Sequence, residues 1–150
     1  MKTLFETACA EEIKQRLADL KPDSQRLWGK MDVAQALAHC TAAFDFATGT
    51  RVAPRVWLGR LVGPIAKWSV ILQQKPFPRN SMTPKAIMVA DPRDFEVERE
   101  RLYETIDSFA STGPSGCSQH PHFFFGSLKP EEWSSLMYQH LDHHLRQFGA

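Results

Sequence analysis

The stretch PEEWSSLMYQHLDHHLRQF, residues 130–148, decides the fold because it carries the clearest helix signals in the chain. Proline suits the first position of a helix, and Glu131 and Glu132 follow it in the first turn, where the helix dipole favours acids. Gly149 comes directly after the stretch, and glycine commonly ends a helix. These signals predict one helix over the whole stretch.

Two more helices are predicted in the first third of the chain. Apolar residues repeat with helical spacing over residues 3–20, and Pro22 then ends the pattern. Asp32 and Gln35 have the spacing of a capping box, in which each side chain satisfies a free backbone amide. The second helix is therefore expected to begin at Asp32 and to end at Gly49.

Another helix is predicted over residues 93–110. Asp91 is a good N-cap residue, and Pro92 suits the first helical position. The expected buried stripe comprises Phe95, Val97, Leu102, Ile106 and Phe109, and the expected solvated face comprises Glu98, Arg99, Glu100, Arg101 and Glu104.

These four helices indicate an all-α protein, since no segment alternates with the period of two that marks a strand. They are typical of a four-helix bundle, here with a long crossover connection between the second and third helices. Residues 55–74 in this connection predict a short extra helix, bent or broken at Gly63-Pro64. The length of 150 residues is that of a single domain, residues 1–150.

Composition excludes several classes of protein. With 18 Lys and Arg against 17 Asp and Glu, the chain has no overall charge that attracts nucleic acid, so no such partner is expected. The N-terminal sequence becomes acidic too early for a signal peptide. The three widely spaced cysteines contain no CxxC pair and favour a reducing cytoplasm: Cys9, Cys40 and Cys117.

The most apolar stretch, residues 56–72, is too short and too charged for a transmembrane helix. Its two cations, Arg60 and Lys67, are too few for the basic face of a membrane-surface helix, so no membrane partner is expected. Its two tryptophans fit either a homodimer interface or burial within the monomer.

Three of the six histidines lie in the last predicted helix. His140 and His144 are four residues apart, so their rings lie on one face and can share a metal ion. His143 lies about 60° to the other side of His140 and is expected to point off the metal side. A protease of the HExxH type is disfavoured, because Leu141 occupies the position of its catalytic glutamate.

Two ligands rarely make a tight metal site, and His39 is the candidate for a third. It lies in an apolar, alanine-rich segment, where a buried imidazole needs a partner. Three neutral imidazoles with an open fourth position are typical of catalytic zinc and also suit nickel or iron. Two alternatives stay open: His39 as a hydrogen-bonded core residue, and His140 with His144 as a solvated polar face.

The remaining two histidines flank Pro121 in a predicted loop over residues 111–127. His120 and His122 are expected at the surface or packed within the loop, from which either can reach over the site.

Two stretches of the chain resemble a known bacterial family. The segments from LWGKM to AHC, residues 27–40, and from FGSL to HLDHHLRQFG, residues 125–149, resemble the DUF1569 proteins, which are similar to the DinB/YfiT-like metalloenzyme superfamily. The resemblance implies a four-helix bundle with a long crossover. It also implies a divalent metal, zinc or nickel, on His39, His140 and His144.

The same resemblance implies an enzyme with a small-molecule substrate, because the superfamily includes transferases and isomerases that use low-molecular-weight thiols. A metal-bound water or thiolate is the expected nucleophile of such a transferase, isomerase or hydrolase. Side chains expected around the ligands are His143, Arg146, Gln147 and, pointing outward, Asp142. The roof of the site is expected from Trp57, Trp68 and Phe77. A second hypothesis is a non-catalytic module that binds a metal or small ligand and acts as a homodimer through residues 56–72.

Overall fold

The fold is all-helical over the residues that the computed structural model describes, 1–81 and 84–150. Five α-helices follow in chain order: α1 Thr7–Ala18, α2 Val33–Thr48, α3 Trp57–Lys67, α4 Phe95–Thr112 and α5 Pro130–Gln147. A π-helical turn, Trp68–Leu72, continues α3, and short 3-10 turns cover Lys85–Ile87 and Gly113–Gly116. These ranges contain no strand, which confirms the all-α prediction, and α3 is the helix expected in the crossover connection.

Helix α2 begins and ends where the sequence predicts. The Asp32 carboxylate accepts the N–H of Gln35 at 2.8 Å, and the Gln35 side chain accepts the N–H of Asp32 at 3.0 Å. Gly49 ends the helix in the left-handed conformation, with φ of 80°. With both ends set by local signals, α2 carries His39 in its buried middle.

Helix α1 begins at Thr7 rather than near residue 3, because the residues before it bond to other parts of the fold. The N–H of Lys2 donates to the Gln74 side chain at 3.1 Å, and the N–H of Phe5 donates to Ser134 Oγ at 3.1 Å. These tertiary hydrogen bonds replace the helical ones, and no local signal in the sequence indicates them.

Two expectations for α4 are wrong. The helix begins at Phe95, because Asp94 rather than Asp91 caps it and accepts the N–H of Val97 at 2.9 Å. Val97 is 53% exposed, whereas Glu98, expected on the solvated face, is 3% exposed. Glu98 is neutralised in this position by Arg93 and Arg101, whose Nη1 atoms lie 3.3 Å and 3.2 Å from its carboxylate.

Helix α5 crosses the centre of the core, where Trp133, Leu141 and Leu145 are almost completely buried. It packs against α1, α2 and the π-helical turn, and α4 packs against α1 and α2. Its start at Pro130 is as predicted, with the Glu132 side chain accepting the N–H of Lys129 at 2.7 Å. The histidines of α5 therefore lie on a helix that is fixed on several sides.

Helix α3 packs through its glycines. A β-carbon at Gly59 or Gly63 would collide with the backbone of Phe124, so α3 lies directly on the loop before α5. The predicted break at Gly63-Pro64 is wrong: the α-helix continues to Lys67 and only then takes up the π-helical pitch. Among the described residues, no helix combines the length and the apolar character needed to cross a bilayer.

Gly63→Ala is expected to lower the free energy of unfolding by about 1–3 kcal/mol, because the new β-carbon must displace the backbone of Phe124. Higher helix propensity offsets only part of this loss. Denaturant unfolding measures it. The control is Leu61→Ala, on the exposed side of α3, which should change stability by less than about 0.5 kcal/mol. Equal losses in the two variants would contradict the close approach.

Candidate metal centre

Three histidine rings from two helices meet inside the fold. The ring centroids of His39, on α2, lie 4.9 Å from those of His140 and 4.8 Å from those of His144, both on α5. One ring nitrogen from each residue lies within 4.8 Å of the others. The structure therefore brings together the three residues that the sequence selects as candidate ligands.

A backbone carbonyl fixes the ring of His39. Its Nδ1 lies 2.8 Å from the carbonyl oxygen of Ile87, in the 3-10 turn of the crossover connection. Because a carbonyl only accepts, Nδ1 carries the proton and donates it. Nε2 of the neutral ring therefore has a free lone pair, and it points toward His140, whose Nε2 lies 3.0 Å away.

A side-chain amide fixes the ring of His144 in the same way. The Gln147 amide nitrogen donates to the carbonyl oxygen of Trp28 at 2.7 Å, which settles the orientation of the amide. Gln147 Oε1 then accepts from Nδ1 of His144 at 2.8 Å. Nε2 of His144 is therefore the nitrogen free to bind a ligand.

The nitrogen atoms form a donor set that fits a divalent cation. Two bare lone pairs at the 3.0 Å separation of His39 and His140 repel each other, so a proton on His140 or a cation must lie between them. Nitrogen ligands of tetrahedral zinc are about 3.3 Å apart, given Zn–N distances of about 2.0–2.1 Å. Small ring adjustments within the 4.8 Å cluster bring all three nitrogens to one ion.

Burial keeps these rings neutral. It lowers the pKa of His144 to about 3 and lowers the pKa of His140 well below its ordinary value, with each ring further disfavouring a positive charge on its neighbours. Burial also lowers the pKa of His39, although the bond to Ile87 opposes this shift. Neutral imidazoles are the form that binds metals.

Aromatic residues from two connections surround His143, which lies beside the cluster. Its ring centroid lies 5.6 Å from that of Trp28 and 5.9 Å from that of Phe77, and Phe77 lies 6.4 Å from His140. The guanidinium of Arg79 stacks over Trp28 at 4.4 Å. Of the three residues expected to form the roof, Phe77 contacts the histidines.

The other two tryptophans of the expected roof lie on the exterior. Trp57 is 72% exposed and Trp68 is 52% exposed, because the glycine face of α3 is the one turned toward the protein.

Asp142 and Arg146 form an ion-pair group that faces α1. Asp142 is buried rather than directed outward, and its carboxylate lies 2.9 Å from Arg16 and 3.0 Å from Arg146. The reason is that α1 covers this side of α5. Neither residue has a recorded hydrogen bond to an imidazole, in contrast to Gln147.

The loop histidines differ in their environments. His120 is exposed. His122 is buried, and its Nδ1 accepts the N–H groups of Phe124 and Phe125 at 3.1 Å and 3.2 Å. Burial lowers the pKa of His122 to about 3. Its ring thus holds the turn that supports α3.

Two features of the site have no simple signal in the sequence. The carbonyls of Ile87 and Trp28 fix the rings, and backbone carbonyls are present at every residue. Gly29 is the detectable partner of the second: it has φ of 82°, and a β-carbon there would collide with the Gln147 amide. The WGK motif therefore has a structural reason, although that reason is visible only in three dimensions.

Cys40 adjoins His39 but lies in the core, 2% exposed, and burial raises the pKa of its thiol. All three cysteines are buried and unpaired, as the spacing predicts.

Together, the fold and the site define an all-helical protein with a buried three-histidine cluster suited to a metal ion. A family model described as "Protein of unknown function (DUF1569)" matches residues 4–150. The chain belongs to this DUF1569 family, in agreement with the resemblance of its two motifs. Comparisons with curated proteins and with solved structures find no match.

Proposed function

We propose that His39, His140 and His144 bind one divalent cation, zinc or nickel, and that the chain is a metal-dependent enzyme. The observation that carries this proposal is the convergence of three neutral ring nitrogens within 4.8 Å. The partners on Nδ1 of His39 and His144 support it, because they leave each Nε2 unprotonated. The resemblance to the DinB/YfiT-like superfamily supports both the ligand set and a four-helix bundle of α1, α2, α4 and α5, with α3 in the crossover.

When bound, a cation with three protein ligands supplies an open position in which a water or a thiol loses its proton near neutral pH. Gln147 and the Ile87 carbonyl hold two of the rings in orientation. Phe77 covers His140 and limits the access of water. Arg79 and His143 line the same side and suit a substrate that carries a carboxylate.

The reaction class follows from the resemblance. We propose a small-thiol-dependent transferase, or a related hydrolase or isomerase, in which a thiolate or water attacks a small electrophilic substrate. The unpaired cysteines fit a reducing cytoplasm, where low-molecular-weight thiols are kept reduced.

A second candidate is a non-catalytic metal-binding module. It is favoured by the position of Asp142, the carboxylate nearest to His140 along the chain, which is engaged by Arg16 and Arg146 rather than held beside the cluster as a general base. A cavity of about 330 Å³ lies elsewhere, between α2 and α4, lined by Phe44, Thr48, Phe109 and Thr112.

Titration of chelator-treated protein with zinc or nickel tests the metal proposal. One ion should bind per chain, and a metal concentration a hundred times the Kd should raise the unfolding midpoint by roughly 5–10 °C. Binding of magnesium under the same conditions should be much weaker, because imidazoles are poor ligands for it. Trace binding with no thermal shift would overturn the site.

Assays of thiol conjugation to small electrophiles, with metal present and removed, separate the two candidates. A metal-dependent rate supports the enzyme. Equal rates in a protein that does bind one ion would leave the module in its place.

A further inference from the structure

The outer face of α3 and its π-helical extension is apolar and uncovered. We define this α3 face by six side chains with the exposed fractions 72%, 41%, 67%, 70%, 52% and 45%: Trp57, Leu58, Leu61, Ile65, Trp68 and Leu72. Their exposed surface is on the order of 800 Å², above the roughly 300–600 Å² of the largest apolar patch on a typical monomer. A patch of this size marks an interaction surface.

The orientation of this face is fixed by the other side of the helix. Gly59 and Gly63 lie against the Phe124 backbone, which leaves no room for any side chain. The N–H of Val56 donates to the carbonyl oxygen of Phe123 at 3.0 Å, and Lys67 lies 2.8 Å from the Glu132 carboxylate. Both ends of α3 are therefore attached, and the apolar side cannot turn inward without losing these contacts.

The segment around the face is strongly cationic. Between Asp45 and Asp91 the sequence has seven Lys and Arg residues and no Asp or Glu, although the whole chain has a net charge of only +1. Lys67 is paired with Glu132, but several of the other cations border the α3 face. Arg60 is exposed beside Leu61, and Lys75 lies over the Trp68 ring at 5.9 Å.

The α3 face thus combines an apolar surface, a tryptophan at each end and a cationic border. Tryptophan is enriched where an apolar phase meets water, and basic residues are attracted to anionic headgroups. A second copy of the chain would bring a cationic border against an identical one, which charge complementarity disfavours. The counts of Arg60 and Lys67 alone predict no membrane partner, but the structure places Lys75 at the face as well.

We propose that the α3 face binds to the surface of an anionic phospholipid bilayer, with its six apolar side chains inserted at the level of the headgroups. The helix lies in the interface and does not span it. This inference is independent of the metal site and concerns where the protein works rather than what it converts.

Co-sedimentation of the full chain with vesicles tests the proposal. Vesicles of phosphatidylglycerol and phosphatidylcholine should bind the protein at least tenfold more tightly than vesicles of phosphatidylcholine alone, and added salt should weaken the binding. The double variant Leu61→Gln/Ile65→Gln should bind at least tenfold more weakly. A control, Leu27→Gln/Val97→Gln, changes two exposed apolar residues outside the face and should bind like the wild type.

Three results would overturn the proposal: no binding of the wild type to anionic vesicles, binding that Leu61→Gln/Ile65→Gln leaves unchanged, or a dimer in solution that the same variant converts to a monomer. The last result would assign the face to a second copy. Circular dichroism establishes that both variants are folded, and both should still bind one metal ion.

Discussion

His39→Ala is expected to lower the affinity for zinc or nickel by at least about a hundredfold. A structural zinc site with four ligands has a binding free energy of about 10–16 kcal/mol, so one ligand of three or four carries several kcal/mol. Loss of His39 leaves the two histidines of α5, which are four residues apart on one helix and which surface helices can also present. The contribution of α2 is what makes the site a buried one.

Competition with a chromophoric chelator measures this change, and the same measurement applies to His144→Ala. The matched control is His120→Ala, since His120 is exposed in the loop before α5 and should keep the wild-type affinity. Unchanged affinity in His39→Ala would show that His140 and His144 bind the ion without α2. An equal loss in the control would indicate nonspecific binding.

The parts of the fold that were predicted correctly are those with local causes. The capping box of Asp32 and Gln35, and the proline and acids at the start of α5, act on the backbone within one turn. The spacing of His140 and His144 is also local, because a helix alone sets their separation. The convergence of His39 with this pair is a tertiary event, and the spacing of the residues could only offer it as one option.

The errors have tertiary causes. Asp91 and Asp94 are both good caps, and the choice between them depends on Arg93, which pairs with Asp91 at 3.1 Å. Glu98 is buried because two arginines meet it there, which no helical period indicates. The outward direction of the α3 face depends on the contact of Gly63 with the Phe124 backbone, on a loop far along the chain.

Gln147→Leu is expected to lower metal affinity by about 10–100-fold, the usual cost of losing a partner that orients a ligand. Leucine is close to glutamine in volume but makes neither hydrogen bond, so His144 loses the acceptor that keeps the proton on Nδ1. The ring can then rotate, or place its proton on Nε2 and cease to be a ligand. Gln147 acts in this scheme as a positioning residue.

Gln147→Glu separates this role from a merely structural one. Its carboxylate still accepts from Nδ1 of His144, and carboxylates are common partners of metal-binding histidines, so the affinity should stay within a fewfold of the wild type. The same variant loses the donor to the Trp28 carbonyl, so both variants should be less stable than the wild type. Chelator competition gives the affinity, and the Nδ1–H resonance of His144 reports the tautomer. Equal affinity losses in the two variants would mean that the link to Trp28, and not the bond to His144, is what the metal site requires.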